Sequence, residues 1–331
     1  MKRWGGNGFT LLELLVAVAL ALGMAAAMLS VTGNTLALWR ATQGRATSTA
    51  QAQLALDLIE RDLQAAVFRP EGATTWLAVN IANTPSALAR RGWQTAPLMK
   101  PAANESLRLL PLAEAGRSAT IATARFGLGG AWLRLMSTNI ESAASLPVAV
   151  AYQIARRPVS GTDVSTANPA EVRYTLFRSA VAADVSFAVG NHVLAPGYAS
   201  SSETAGVARA ASTLANPHTS GDALVPDAVD LGVWLFVREH TGALRRIFPA
   251  DASDTEHTAR DEGSDAARQP DAADVMLRVL TGEGARQIAA MEQGLVARPP
   301  GFASDAEWWW DVVERHSRIF VRRVEWKGGL P

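Results

Sequence analysis

Cysteine is absent from the 331 residues of this chain. That absence excludes a disulfide framework, a thiolate metal site and a catalytic cysteine, and it leaves the compartment open. Net charge is absent too: 31 Lys and Arg balance 31 Asp and Glu, so nothing points to nucleic acid or an acidic substrate as partner. Aromatics other than tryptophan are few, with 3 Tyr and 9 Phe beside 10 Trp, so the core must rest mainly on Leu, Val and Ala. Catalytic motifs are missing as well. His192, His218, His240, His257 and His316 stand in no HExxH-like spacing. There is no Walker A loop, no GxSxG elbow and no dinucleotide fingerprint, and "GLGG" at Gly127 reads as a turn. The chain is therefore expected to be non-catalytic and to need no cofactor.

What is present begins at the N-terminus. Lys2 and Arg3 precede an apolar run that from Phe9 to Val31 has the length of a bilayer span. Positive charge before the span predicts a cytoplasmic N-terminus and an exported remainder in a single-pass topology. A plain secretory signal would end in a small-residue cleavage site, and the Ala-rich "GMAAAMLS" offers one. Against it stand the very short leading segment, the helical pattern beyond the span, and Glu13. A carboxylate inside an apolar segment raises the cost of insertion and calls for a partner.

"GFTLLELLVA" resembles the type IV prepilin motif of pilins and of type II secretion pseudopilins. The resemblance implies a leader of residues 1–8, cleavage between Gly8 and Phe9 by prepilin peptidase, and N-methylation of the new Phe9 amine. It implies a type IV pilus or type II secretion-like filament of other pilin or pseudopilin subunits as the partner assembly. It also makes the membrane the inner one and the C-terminal domain periplasmic. Glu13 would be the fifth residue of the mature chain. Pairing it with the Phe9 amine of a neighbour would satisfy two costly charges and set axial register.

Beyond the hydrophobic helix of 9–38, residues 39–69 continue as an amphipathic helix. Leu54, Leu58, Ile59, Leu63, Ala66 and Val67 recur at three- and four-residue steps. Asp57, Glu60, Arg61 and Asp62 fall largely off that stripe, and Glu60, Arg61 and Asp62 read as a solvated face. Pro70 ends the pattern. A helix over 9–68 would reach about 90 Å. Gly44 and "TGN" at 32–34 are expected weak points.

Residues 70–331 read as an exported α+β domain: the long helix laid on an antiparallel sheet with long loop insertions. Strands are expected at 132–137, 148–155, 172–180, 229–239, 244–248, 274–280 and 318–326, with a short helix over 282–294. The strands at 148–155 and 172–180 read as a pair. "HTGA" at 240–243 predicts a hairpin turn. Residues 199–224 and 250–273 read as surface excursions.

"VAYQIARRP…VRYTLFRSAV" and "LDLIERDLQAA" resemble J-type minor pseudopilins and W-type pilin proteins, though Phe177 replaces an aromatic usually Tyr there. The stretch from "ADVMLRVLTGEGARQIAAME" to "WWWDVVERHSRIFVRRVEW" resembles the Verru_Chthon cassette protein C family. That family carries no known activity, so the likeness implies a pilin-like identity without a mechanism.

Two further features invite a function. Asp251, Asp254, Glu256, Asp261, Glu262 and Asp265 crowd one stretch. Oxygen-rich loops suit calcium, and Asp251, Asp254, Asp261 and Asp265 are the candidates, but the spacing is not an EF-hand and a solvated loop is the favoured reading. Trp308, Trp309 and Trp310 fan over about 200° on a helix. They read either as core anchors or as an exposed contact for a neighbouring subunit. Three functional classes follow: a structural minor pilin or pseudopilin-like subunit, with the large domain favouring a filament tip; a pilin-anchored recognition or adhesion module; and a tethered periplasmic enzyme, which would need a cleft of convergent titratable groups.

Overall fold

A single helix, α1, runs unbroken over Leu11–Gln64. The computed structural model describes residues 10–67, 74–81, 131–138, 146–158, 172–181, 183–188, 190–193, 223–250, 254, 256–260, 263–292, 295–303 and 305–326. The chain divides into two units, Met1–Thr47 and Ser48–Pro331.

The first unit holds the apolar stretch Leu11–Gly33, long and apolar enough to cross a membrane. Its large side chains, Leu11, Leu12, Leu15 and Leu29 among them, are exposed. The weak points expected at 32–34 and Gly44 do not interrupt the helix. One Gly costs only about 1 kcal/mol in a helix interior, too little to break a long cooperative one. Thr35 also returns its hydroxyl to the Val31 carbonyl at 2.8 Å.

The second unit is built on antiparallel strands. In chain order these are β1 (Leu77–Ile81), β2 (Ala131–Thr138), β3 (Pro147–Pro158), β4 (Val172–Val181), β5 (Ala223–Pro226), β6 (Ala228–Arg238), β7 (Leu244–Phe248), β8 (Glu256–Ala259), β9 (Ala272–Leu280) and β10 (Ser317–Glu325). The helices after α1 are α2 (Ala183–Ala188), α3 (Gly282–Glu292) and α4 (Asp305–His316). The sequence pattern led to one sheet, but the described strands form two. A six-stranded sheet runs β5-β4-β3-β2-β1-β8, and a four-stranded sheet runs β10-β9-β6-β7. The switch lies at one residue. Pro226 ends β5, Asp227 adopts φ 59°, and β6 begins at Ala228 in the other sheet. Asp turns through the left-handed region more readily than most residues, and Arg173 holds its carboxylate at 3.1 Å.

The expected β3–β4 pair forms, with Tyr152 opposite Arg178. The "HTGA" hairpin joins β6 to β7, with Gly242 at φ 83° and its N–H on the Glu239 carbonyl at 2.8 Å. The excursion expected at 250–273 contains β8, which pairs with β1 at the sheet edge. Strand β1 had no legible signal.

Helix α1 stops before the expected end at 68–70. Strand β2 takes over its backbone groups: the Val67 N–H bonds to Met136 O at 2.9 Å, and the Thr138 N–H to Ala65 O at 2.9 Å. The core joins Ala52, Ala55, Leu56, Ile59 and Leu63 of α1 to Leu133, Leu135, Leu231, Leu235 and Leu277. Helices α3 and α4 approach so closely that a Cβ on Gly284 would meet His316 Cβ at 2.6 Å.

Candidate functional site

Gly8 and Phe9, the expected processing residues, lie outside the described residues. Glu13 lies inside them, in the first turn of α1. Its Oε2 accepts the Thr10 backbone N–H at 3.0 Å and the Thr10 hydroxyl at 2.9 Å. The Glu13 N–H in turn donates to Thr10 Oγ1 at 3.3 Å. This is a capping box, which satisfies the otherwise unpaired N–H groups of a helix start. The Thr-Leu-Leu-Glu spacing signals it, although the sequence reading gave Glu13 only a partner on another subunit. Thr10 therefore competes, within the chain, for the carboxylate expected to set register.

In the second unit α1 docks through most of the expected stripe, with Ile59 and Leu63 buried and Ala66 and Val67 packed against the core, but Leu54 takes no part. Leu54 is 69% exposed, whereas the small Ala52 and Ala55 are buried with Leu56, Ile59 and Leu63. Alanine lets the helix approach the sheets closely, so it faces inward although Leu54 is the more apolar.

Of the residues expected on a solvated face, Arg61 is exposed and Glu60 half-buried, and Asp62 departs from it. Asp57 and Glu60 share Arg322 of β10, whose Nη2 lies 2.6 Å from Asp57 Oδ1. Asp62 is buried. Arg178 of β4 donates to it from Nε at 2.8 Å and from Nη2 at 3.2 Å. The Tyr152 hydroxyl of β3 donates to the same carboxylate. Burial, followed by the Asp62 charge, pushes the Tyr152 hydroxyl well above its ordinary range. Burial opposes the charge on Arg178, but the bond to Asp62 and the neighbouring Tyr152 outweigh it and raise its pKa. The three groups clasp α1 to the six-stranded sheet. Trp326 fixes it again, donating from Nε1 to Leu63 O at 2.6 Å.

The three tryptophans of α4 are all buried, which overturns the exposed-contact reading of Trp308, Trp309 and Trp310. Their fan is accommodated because α4 is enclosed on more than one side. Trp309 packs edge-on against Tyr174 of β4 at 5.9 Å, and Trp310 lies under Arg278 of β9 at 4.9 Å.

The acid-rich stretch is only partly described, since Asp251 and Asp261 lie outside the described residues. Asp254 accepts the Ala250 N–H at 2.9 Å. Asp265 receives both Nη groups of Arg245, at 2.7 and 3.0 Å, which hold its carboxyl below the usual range and engage the oxygens a cation would need. Among the described residues no three His, Asp or Glu side chains converge as a metal site. His257 is buried, pushed down to about 4 by desolvation, with Nε2 3.0 Å from Arg268 O. His192 accepts the Thr75 N–H at 2.9 Å.

Compared with known proteins, the chain matches no family model, no curated protein and no solved structure.

Proposed function

We propose that this chain is a structural, non-catalytic subunit of the pilin or pseudopilin kind. In this reading prepilin peptidase cuts between Gly8 and Phe9 and the new amine is methylated. The apolar helix then anchors the subunit in the inner membrane until it joins a filament with other such subunits. One observation carries the reading: one unbroken helix has exposed apolar residues over Leu11–Gly33, while its Ala52–Leu63 face is buried in an α+β domain. A soluble protein hides such an apolar surface, so its exposure marks a membrane or a partner helix as its surroundings. The "GFTLLELL" motif adds the processing step.

The test is mass spectrometry of the mature N-terminus, joined to cross-linking from residues within 9–38. The proposal expects a methylated Phe9 and cross-links to other prepilin-type proteins. An intact Met1, or a cut after the Ala-rich segment, overturns it. A processed anchor that cross-links to no such protein would instead favour a pilin-anchored recognition module.

A further inference from the structure

The four-stranded sheet carries a second buried acid. Asp230 of β6 is 1% exposed, and among the described residues neither of its oxygens has a hydrogen-bond partner. It follows a break in the β6–β9 register between Ala228 and Asp230, the kind of irregularity that re-aims a side chain. By strand alternation it lies on the face opposite the core residues Leu231, Val233 and Leu235. Directly across on β9 stands Arg278, itself buried, with Nε unpartnered among the described residues. Its guanidinium instead covers the Trp310 ring, and the Trp310 Nε1–H is likewise unpartnered among the described residues. Three elements thus bring one acceptor group and two donors together with no hydrogen bond among them.

A buried carboxylate without hydrogen bonds strongly disfavours ionisation. An arginine pairs with an aromatic face or with a carboxylate, and Arg278 has one of each as neighbours: the Trp310 ring it covers and Asp230 across the strand pair. We propose that Asp230, Arg278 and Trp310 form a pH-sensitive latch between the four-stranded sheet and α4. With Asp230 protonated, Arg278 rests on Trp310. With Asp230 ionised, Arg278 turns to the carboxylate and leaves the ring.

The surrounding charges favour this pair as the responsive one. Burial raises the Asp230 carboxyl to about 7, and Arg278, the charge acting on it, opposes the rise. From α4 the neutral Trp310 indole meets Arg278, Asp311 pairs with Arg315, and Glu314 is exposed. On β6 the next residues of the same face are Gly232 and Trp234. The neighbouring acids Asp227 and Asp274 are held by Arg173 and Arg323. Ile319 of β10 stands beside Arg278 in register, and Glu283 and Arg286 of α3 are exposed. The folded protein binds this proton more tightly than the unfolded chain, whose carboxyl titrates near 3.8. Stability from this group is therefore fully present below about 4 and falls as pH rises through about 7. The latch stands independently of the filament reading.

The experiment uses the full chain in detergent, labelled with 5-fluorotryptophan, the Trp310 resonance being identified by Trp310→Phe. Between pH 5 and 8.5 that resonance is expected to shift with a midpoint near neutrality, and the shift is expected to vanish in Asp230→Asn. Wild-type Tm should fall from pH 5 to 8 by at least ~2 °C more than that of Asp230→Asn. A flat Trp310 resonance, or equal slopes in the two proteins, overturns the latch. If Asp230→Asn does not fold, Arg278→Met decides: its Trp310 resonance should lose the titration, and an unchanged titration overturns the proposal.

Discussion

Asp62 and Asp230 are both buried carboxylates beside an arginine, and the fold treats them in opposite ways. Asp62 receives Tyr152 and two nitrogens of Arg178, so its charge is fully engaged where α1 meets the six-stranded sheet. Asp230 faces Arg278 across a strand pair in the four-stranded sheet, yet receives no hydrogen bond among the described residues. Burial and a cationic neighbour do not by themselves make an ion pair. The donors must also reach the oxygens. Where they do, the group is a fixed clasp; where they do not, it answers to protons.

The comparison can be broken most forcefully at Arg178. Arg178→Met would leave Asp62 buried without its cation. Loss of one partner from a buried pair costs roughly 3–5 kcal/mol, and the lower end applies because Arg178 is 23% exposed. Urea unfolding of the full chain in detergent measures it, and a loss below 1 kcal/mol would place Asp62 with the weakly held acids. Tyr152→Phe removes one hydrogen bond to the same carboxylate. It should destabilise by about 1.5–3 kcal/mol, read by the same curves. Asp230→Asn should do the reverse. It should be more stabilising at pH 8 than at pH 5, by at least ~1–2 kcal/mol, since the shifted titration is removed. Parallel Tm–pH profiles for variant and wild type would show that the two acids do not differ in the way argued. The smallest effect is expected at Asp265, which pairs with Arg245 on the exposed surface. Asp265→Ala should leave Tm unchanged within error, because solvent screens such a pair.

Much of the local structure was legible. Short apolar runs between polar loops located the cores of β2, β3, β4, β6, β7, β9 and β10, and the turn residues located the β6–β7 hairpin. The short strands β1, β5 and β8 escaped because runs of four or five residues stand out too little from the loops around them. The capping box at Thr10 and Glu13 is legible in the Thr-Leu-Leu-Glu spacing, which competes there with the reading of Glu13 as a partner for another subunit. Asp62 lies three residues after Ile59 and seven after Ala55, so a helix that turns Ala55 inward and Leu54 outward carries Asp62 inward with it. Of the clasp, Tyr152 and Arg178 stood in strands singled out by resemblance, but nothing near either of them pointed to an acid 90 or 116 residues away.

The sequence by itself determined what depends on near neighbours: an apolar run long enough to span a bilayer, a helix continuing past it, and strands marked by short apolar runs between polar loops. These follow from side-chain chemistry at fixed local spacing. The tertiary structure alone decided the division into two sheets at Asp227, the burial of all three tryptophans, and which buried carboxylate finds its donors. Each of those outcomes depends on which distant strands pair and in what register, and a single residue's displacement in that register changes the groups that meet.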